Sequence, residues 1–166
     1  KKVYDFSKGI RAISSSIRRS IPAFLDSKIH HNNMLSLVIA KIHANIAGYD
    51  AAVMLDDRGF VAELNDTNLF MVKEGVVYTP YANACLPGIT RQTFINLLEE
   101  NNINILERDL SLVEFINADL VFATGTNGEI TPVTEMDGRE IKCDQKYLEK
   151  LKDLFEAKLP SLCEPL

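Results

Sequence analysis

Lys28 lies in Leu25-Asp26-Ser27-Lys28-Ile29, just ahead of a run with helical periodicity. A lysine becomes a nucleophile only when burial or a neighbouring charge destabilises its ammonium. Residue type alone favours a solvated surface lysine. Glu63 closes the short run Phe60-Val61-Ala62-Glu63 at a strand end, where the plain reading is an exposed carboxylate. Leu86-Pro87-Gly88-Ile89-Thr90-Arg91 stands directly before a predicted helix. A helix start offers unpaired N–H groups and a positive dipole end, so an anion can dock there. Gly88 would let backbone approach closely; Thr90 could equally be an ordinary N-cap. Thr124-Gly125-Thr126 follows an apolar strand, and its hydroxyls and amides again suit a phosphate or carboxylate, or form a plain turn. Two anion-suited loops in one small acidic chain suggest more together than either does alone.

Other reactive side chains point to less. His30 and His31 are adjacent, so on a strand they face opposite ways. No acidic or cysteine neighbour has ligand spacing, and no metal site is predicted. Cys85, Cys143 and Cys163 are odd in number and far apart, which fits neither a zinc site nor a disulfide framework. A reducing compartment, the cytoplasm, is the simplest setting.

The elements that must position these residues follow from periodicity and turn signals. Asn32–Ala47 predicts a helix: Leu35, Val38, Ile39, Ile42 and Ile46 recur at three- and four-residue steps, and Gly48 supplies the stop. Ala51–Leu55 and Phe60–Glu63 read as strands around Asp56-Asp57-Arg58-Gly59. Asn68–Val72 and Val76–Thr79 read as a hairpin around Lys73-Glu74-Gly75. Thr90–Asn101 is a second amphipathic helix, followed by a strand at Ile103–Glu107. Ser111 with Glu114 has the spacing of a capping box. Leu120–Ala123, Ile130–Val133 and Glu140–Lys142 are further strands, and Asp144–Lys158 is a closing helix. Ile10–Ile17, with Ser14, Ser15 and Ser16 in a row, has no clear period, and Pro22 argues against a continuous helix through it. Strands outnumber helices and several are joined by tight turns. The fold class expected is α+β, with a mixed or antiparallel sheet and flanking helices.

The chain has 166 residues, 46% hydrophobic and 25% charged, with a formal net charge of −5. That is one domain of ordinary globular composition, large enough to need no disulfide or metal staples. A mildly acidic domain is a poor binder of the phosphate backbone, so nucleic-acid partners are not expected. No apolar run approaches the roughly 20 residues that cross a bilayer, so no membrane span is expected. Residue 1 is Lys, so a processed chain, or a piece of a longer one, is expected.

Together these pieces resemble the class IV (fold type IV) pyridoxal-phosphate aminotransferases. The signature runs from Glu63-Leu64-Asn65-Asp66-Thr67-Asn68-Leu69-Phe70 through Val77-Tyr78-Thr79 to Leu86-Pro87-Gly88-Ile89-Thr90-Arg91. Ala47-Gly48-Tyr49-Asp50-Ala51-Ala52, Thr124-Gly125-Thr126, Glu129-Ile130-Thr131-Pro132-Val133 and Asp137-Gly138-Arg139 extend it over nearly the whole chain. Within the family the nearest resemblance is to branched-chain amino-acid aminotransferases. The implied fold is the pseudo-barrel large domain, with residues 1–20 as interdomain linker and domain entry, and 21–166 as the cofactor-binding C-terminal domain. The smaller N-terminal domain of the family is expected to be absent from this chain.

The resemblance implies pyridoxal 5′-phosphate as cofactor and Lys28 as the lysine that forms a Schiff base with it and moves the substrate's α-proton. Glu63 would bind the pyridine nitrogen and keep it protonated, so that the ring accepts carbanion charge. Ile89 and Thr90, with Gly88 giving close approach and Thr126 a hydroxyl, would hold the phosphate. Leu86 would pack on the ring, and Thr126 and Asn127 would meet the substrate carboxylate. Asn33 stands where branched-chain members often carry a tyrosine near the cofactor 3′-oxygen, and its amide could donate there. Asn65 replaces a residue that is usually small. The implied reaction transfers an amino group from a branched-chain L-amino acid to 2-oxoglutarate. The implied partners are amino-acid and 2-oxoacid substrates and a second copy in a homodimer or larger oligomer. A D-amino-acid aminotransferase, an aminodeoxychorismate lyase and a catalytically silent fragment are the alternatives on the same scaffold.

Overall fold

The computed structural model describes residues 8–125 and 129–162. In chain order the elements are β1 (Ile10–Arg18), α1 (Leu35–Ile46), β2 (Ala51–Leu55), β3 (Val61–Leu64), β4 (Asn68–Lys73), β5 (Val76–Pro80) and α2 (Ile89–Glu100). Then come β6 (Ile105–Arg108), α3 (Leu112–Ile116), β7 (Leu120–Gly125), β8 (Glu129–Met136), β9 (Arg139–Glu140) and α4 (Gln145–Leu162). The strands form one nine-stranded mixed sheet in the order β3-β2-β1-β8-β7-β4-β5-β6, with β9 paired to β8.

Connection lengths dictate that this sheet curls. Strand β3 lies at one edge and β4 five places along, yet only residues 65–67 join them. Four Cα steps reach about 15 Å, whereas five strand spacings in a flat sheet need about 24 Å. The strip therefore bends round into a half-barrel, and the Leu64 N–H bonds the Thr67 carbonyl at the point of return. The consecutive parallel pairs β1–β2 and β5–β6 are each joined through a helix, which supplies the long crossover that parallel pairing needs.

Both faces of the sheet are covered, so its central strands read as apolar runs rather than alternating ones. Leu69, Met71, Val121 and Ala123 pack inside the curl with Val53, Leu64 and Phe115. Phe70, Phe122 and Leu120 face outward against Phe94 and Leu98 of α2 and Leu148 and Leu151 of α4. Phe70 and Phe122 stack at 5.2 Å between centroids, and Phe94 meets both edge-on.

One expectation needs correction. The stretch Ile10–Arg18, without a clear period and assigned to a linker, is β1, an interior strand hydrogen-bonded to both β2 and β8. Its serines break the apolar pattern, and its pairing with β2 shifts register between Ser14 and Arg18; the Ser14 N–H donates to the Asp137 carboxylate. Helix α1 forms where predicted and ends at Gly48 with φ +79°. It buries the side opposite its apolar stripe. Ala40 and Ala44 pack on Ala52 and Met54 of β2, while Leu35, Val38, Ile42 and Ile46 are 48–80% exposed. Small residues let the helix axis approach the sheet, and the large apolar stripe is left outward. The expected capping box at Ser111 and Glu114 is present.

Candidate active site

Glu63 is buried near the end of edge strand β3, opposite Met54. The residue after β1, Arg19, continues that strand's alignment: its N–H bonds the Leu55 carbonyl. Its side chain then crosses to Glu63, with Nε 2.9 Å from Oε1. The same Nε lies 3.1 Å from the Ala84 carbonyl, and Nη2 lies 3.5 Å from the Ser27 carbonyl. The second carboxylate oxygen accepts from Asn68 Nδ2 at 3.2 Å. Asn68 also donates to the Leu86 carbonyl at 3.0 Å, and the Leu86 backbone donates to Glu63. Burial pushes the Glu63 carboxyl up to about 7; the Arg19 guanidinium and the Leu86 hydrogen bond pull against it.

The loop that carries Leu86 leads straight into α2. The N-cap of this helix is Gly88, with no side-chain cap. The simpler expectation, Thr90 as N-cap, is corrected: α2 starts at Ile89, and Thr90 belongs to its first turn. The amides of that turn are left for a ligand or water. Gly88 is required by contact, not by conformation. A Cβ there would stand 2.3 Å from Asn68 Oδ1, so the turn can rest on Asn68 only with glycine. Thr124, paired with Asn68 across β7 and β4, is buried with its hydroxyl unpartnered.

Lys28 is on the surface rather than in this cluster. Its Nζ lies 3.6 Å from Asp26 Oδ2 and its side chain is 44% exposed. It lines a cavity of about 270 Å³ with Ile21, Pro22, Asp56, Arg58, Asn83 and Ala84. The chain just before it is fixed, though. Ser27 is buried, its hydroxyl bonds the Ser20 carbonyl, and its own carbonyl meets Arg19. The structure thus gathers Glu63, Leu86 and Gly88 around Asn68, leads from them into Ile89 and Thr90, and ties the root of Lys28 to Arg19. Asn33 is not drawn in; it is exposed before α1, its N–H bonded to His31 Nδ1. Thr126 and Asn127 lie outside the described residues. Arg19 and Asn68 are the residues to which sequence reasoning gives no role. Reading β1 as a strand would have separated exposed Arg18 from inward Arg19.

Such a cluster can hold an anion at α2 and present a buried carboxylate to a hydrogen-bond donor. The family model for amino-transferase class IV matches residues 2–136. The chain belongs to this family. It is 52% identical over 139 residues to branched-chain-amino-acid aminotransferase-like protein 2 of Arabidopsis thaliana, covering 84% of this chain and 25% of that protein. It is 45% identical over 151 residues to a putative branched-chain-amino-acid aminotransferase of Methanocaldococcus jannaschii, covering 89% of this chain and 52% of the relative. The chain therefore spans between a quarter and about half the length of these relatives.

Solved structures agree with the fold. The branched-chain aminotransferase of Thermoproteus uzoniensis with norvaline superposes with a TM-score of 0.90 at 31% identity, covering 97% of this chain and 54% of that one. The T.th. branched-chain amino acid aminotransferase complexed with N-(5′-phosphopyridoxyl)-L-glutamate gives 0.88 at 31% identity, covering 95% and 54%. The half-barrel is the large-domain fold of class IV aminotransferases.

Proposed function

We propose that this chain is the pyridoxal-phosphate-binding part of a transaminase that moves an amino group from a branched-chain L-amino acid to 2-oxoglutarate. The observation that carries the reading is the buried carboxylate of Glu63, ion-paired to Arg19 and hydrogen-bonded by Asn68 beside the uncapped start of α2. The residues fit the cofactor. A carboxylate has about four acceptor sites, and Arg19, Asn68 and Leu86 leave room for a pyridine N–H. The open amides at Ile89 and Thr90 and the Gly88 cradle suit a phosphate. When bound, pyridoxal phosphate supplies an aldehyde and an electron-accepting ring.

The chain's own residues do the rest. Glu63 accepts the ring N–H and keeps that proton in place. Ile89 and Thr90 orient the phosphate, and Leu86 supplies an apolar surface for the ring. Lys28 Nζ would take the proton from the substrate α-carbon and deliver it to C4′ of the cofactor, two atoms away across the nitrogen. For this the amine must leave Asp26, which holds it only weakly at 3.6 Å on the surface. The names of the relatives support the substrate class: one is a putative branched-chain-amino-acid aminotransferase and the other a branched-chain-amino-acid aminotransferase-like protein.

The test is borohydride reduction of the protein with pyridoxal phosphate, peptide mass mapping, and an assay of amino transfer from leucine to 2-oxoglutarate. Label on Lys28 with transfer is the expected result. Label with pyruvate release instead would replace the transaminase with a lyase, and no label would remove the cofactor reading. A homodimer in the cytoplasm belongs to the same proposal. The exposed apolar stripe of α1 supports the dimer, and light scattering checks it.

A further inference from the structure

We propose that Arg19 is a positioning residue that fixes the charge and direction of Glu63 and locks the root of the Lys28 loop to the same carboxylate. The inference rests on the cofactor reading above and adds a residue to it. One guanidinium joins three segments that are far apart in sequence. It meets the end of β3 through Glu63, the loop before α2 through the Ala84 carbonyl, and the loop before α1 through the Ser27 carbonyl. These are the segments that carry the carboxylate, lead to the phosphate-suited turn and hold the lysine. The side chain is 9% exposed, so the pair is little screened.

Charge gives Arg19 its first task. The ionisable groups acting on Glu63 are Arg19, Arg91 and Asp66, with the Cys85 thiol also near. Arg91 is committed elsewhere, to Glu107 and the Pro80 carbonyl. Arg19 is therefore the cation in direct contact. A buried carboxylate without such a partner takes up a proton. It would then lose the negative charge that keeps a ring nitrogen protonated.

Direction is the second task. With Oε1 ion-paired to Arg19 at 2.9 Å and Oε2 accepting from Asn68, the carboxylate is held from two sides. A planar guanidinium can hold several acceptors in a fixed fork, which an ammonium cannot. The neighbouring Arg18 is no substitute: it is exposed and bonds the Ser15 carbonyl.

The experiment uses the protein at its natural length. In the cofactor-free form with ¹³C-labelled glutamate carboxyls, the Glu63 resonance is assigned by its loss in Glu63→Gln. Arg19→Gln is expected to raise the Glu63 midpoint by at least about one pH unit, a tenfold change in proton affinity. Arg19→Lys should return it to within about half a unit. A Glu63 midpoint unmoved in Arg19→Gln overturns the proposal. Should Arg19→Gln not fold, Arg19→Lys decides: release of pyridoxal phosphate about tenfold faster or more, at an unchanged midpoint, supports the lost fork. Unchanged release overturns it. Borohydride labelling of the wild type separates the two readings. No label on Lys28 defeats the cofactor reading and this role with it. Label on Lys28 beside an unmoved Glu63 defeats the Arg19 role alone.

Discussion

Asn68 stands between Glu63 and Gly88, donating to the carboxylate at 3.2 Å while its Oδ1 occupies the space a Gly88 side chain would need. The carboxylate and the start of α2 are therefore coupled through one amide. Gly88→Ala would drive a methyl to 2.3 Å from that oxygen. Either Asn68 leaves Glu63 or the first turn of α2 moves away. We expect a loss of about 1–3 kcal/mol in stability, the usual cost of overpacking, and weaker pyridoxal phosphate binding. Urea unfolding and a cofactor titration check both. Unchanged affinity would show that the turn adjusts freely.

Glu63 should leave a mark on stability against pH in the cofactor-free protein. Its folded value, about 7, lies above the ordinary 4.5. The native state therefore holds a proton that the unfolded chain has already released between those values. Stability from this group is full below about 4.5 and is lost as pH rises through about 7, by up to about 3 kcal/mol. Glu63→Gln removes that slope. Urea midpoints at pH 5 and pH 8 test it: parallel changes in the two proteins would mean that Glu63 does not titrate in this window.

Lys28 separates folding from chemistry. Its side chain is 44% exposed and its ion pair with Asp26 is long, at 3.6 Å, so Lys28→Ala should change stability by no more than about 0.5 kcal/mol. The same substitution should abolish borohydride labelling by pyridoxal phosphate and amino transfer. A thermal melt beside a transfer assay reads both. Full transfer activity in Lys28→Ala would end the proposed function.

What the sequence made legible was whatever a local rule encodes. Gly48 ends α1, Ser111 and Glu114 form their box, and the tight turns between strands sit where Gly and Asp mark them. Glu63, Gly88, Ile89 and Thr90 can be nominated from sequence because the motif that names them is contiguous along the chain. The Arg19–Glu63 pair cannot, because it joins distant parts of the chain that only the curl of the sheet brings together. Strand β1 was missed for a related reason. Its two parallel neighbours also come from far along the chain, and parallel pairing leaves no turn between strands to read. Periodicity showed that α1 has an apolar stripe but could not show which side meets the sheet.

Helix α1 offers the sharpest contrast between pattern and packing. If the apolar stripe were the buried face, Val38→Ser and Ile42→Ser would each open a cavity. Instead both residues are about half exposed, whereas Ala40 and Ala44 are sealed against Ala52 and Met54. Each serine substitution should therefore cost only about 0.5 kcal/mol in the monomer, near the ordinary range for surface changes. Ala44→Leu should cost about 1–3 kcal/mol, because the added carbons find no space between helix and sheet. Chemical denaturation at low protein concentration, where any self-association is suppressed, ranks the three variants. Ala44→Leu is expected to be the least stable; the reverse order would place the stripe against the sheet.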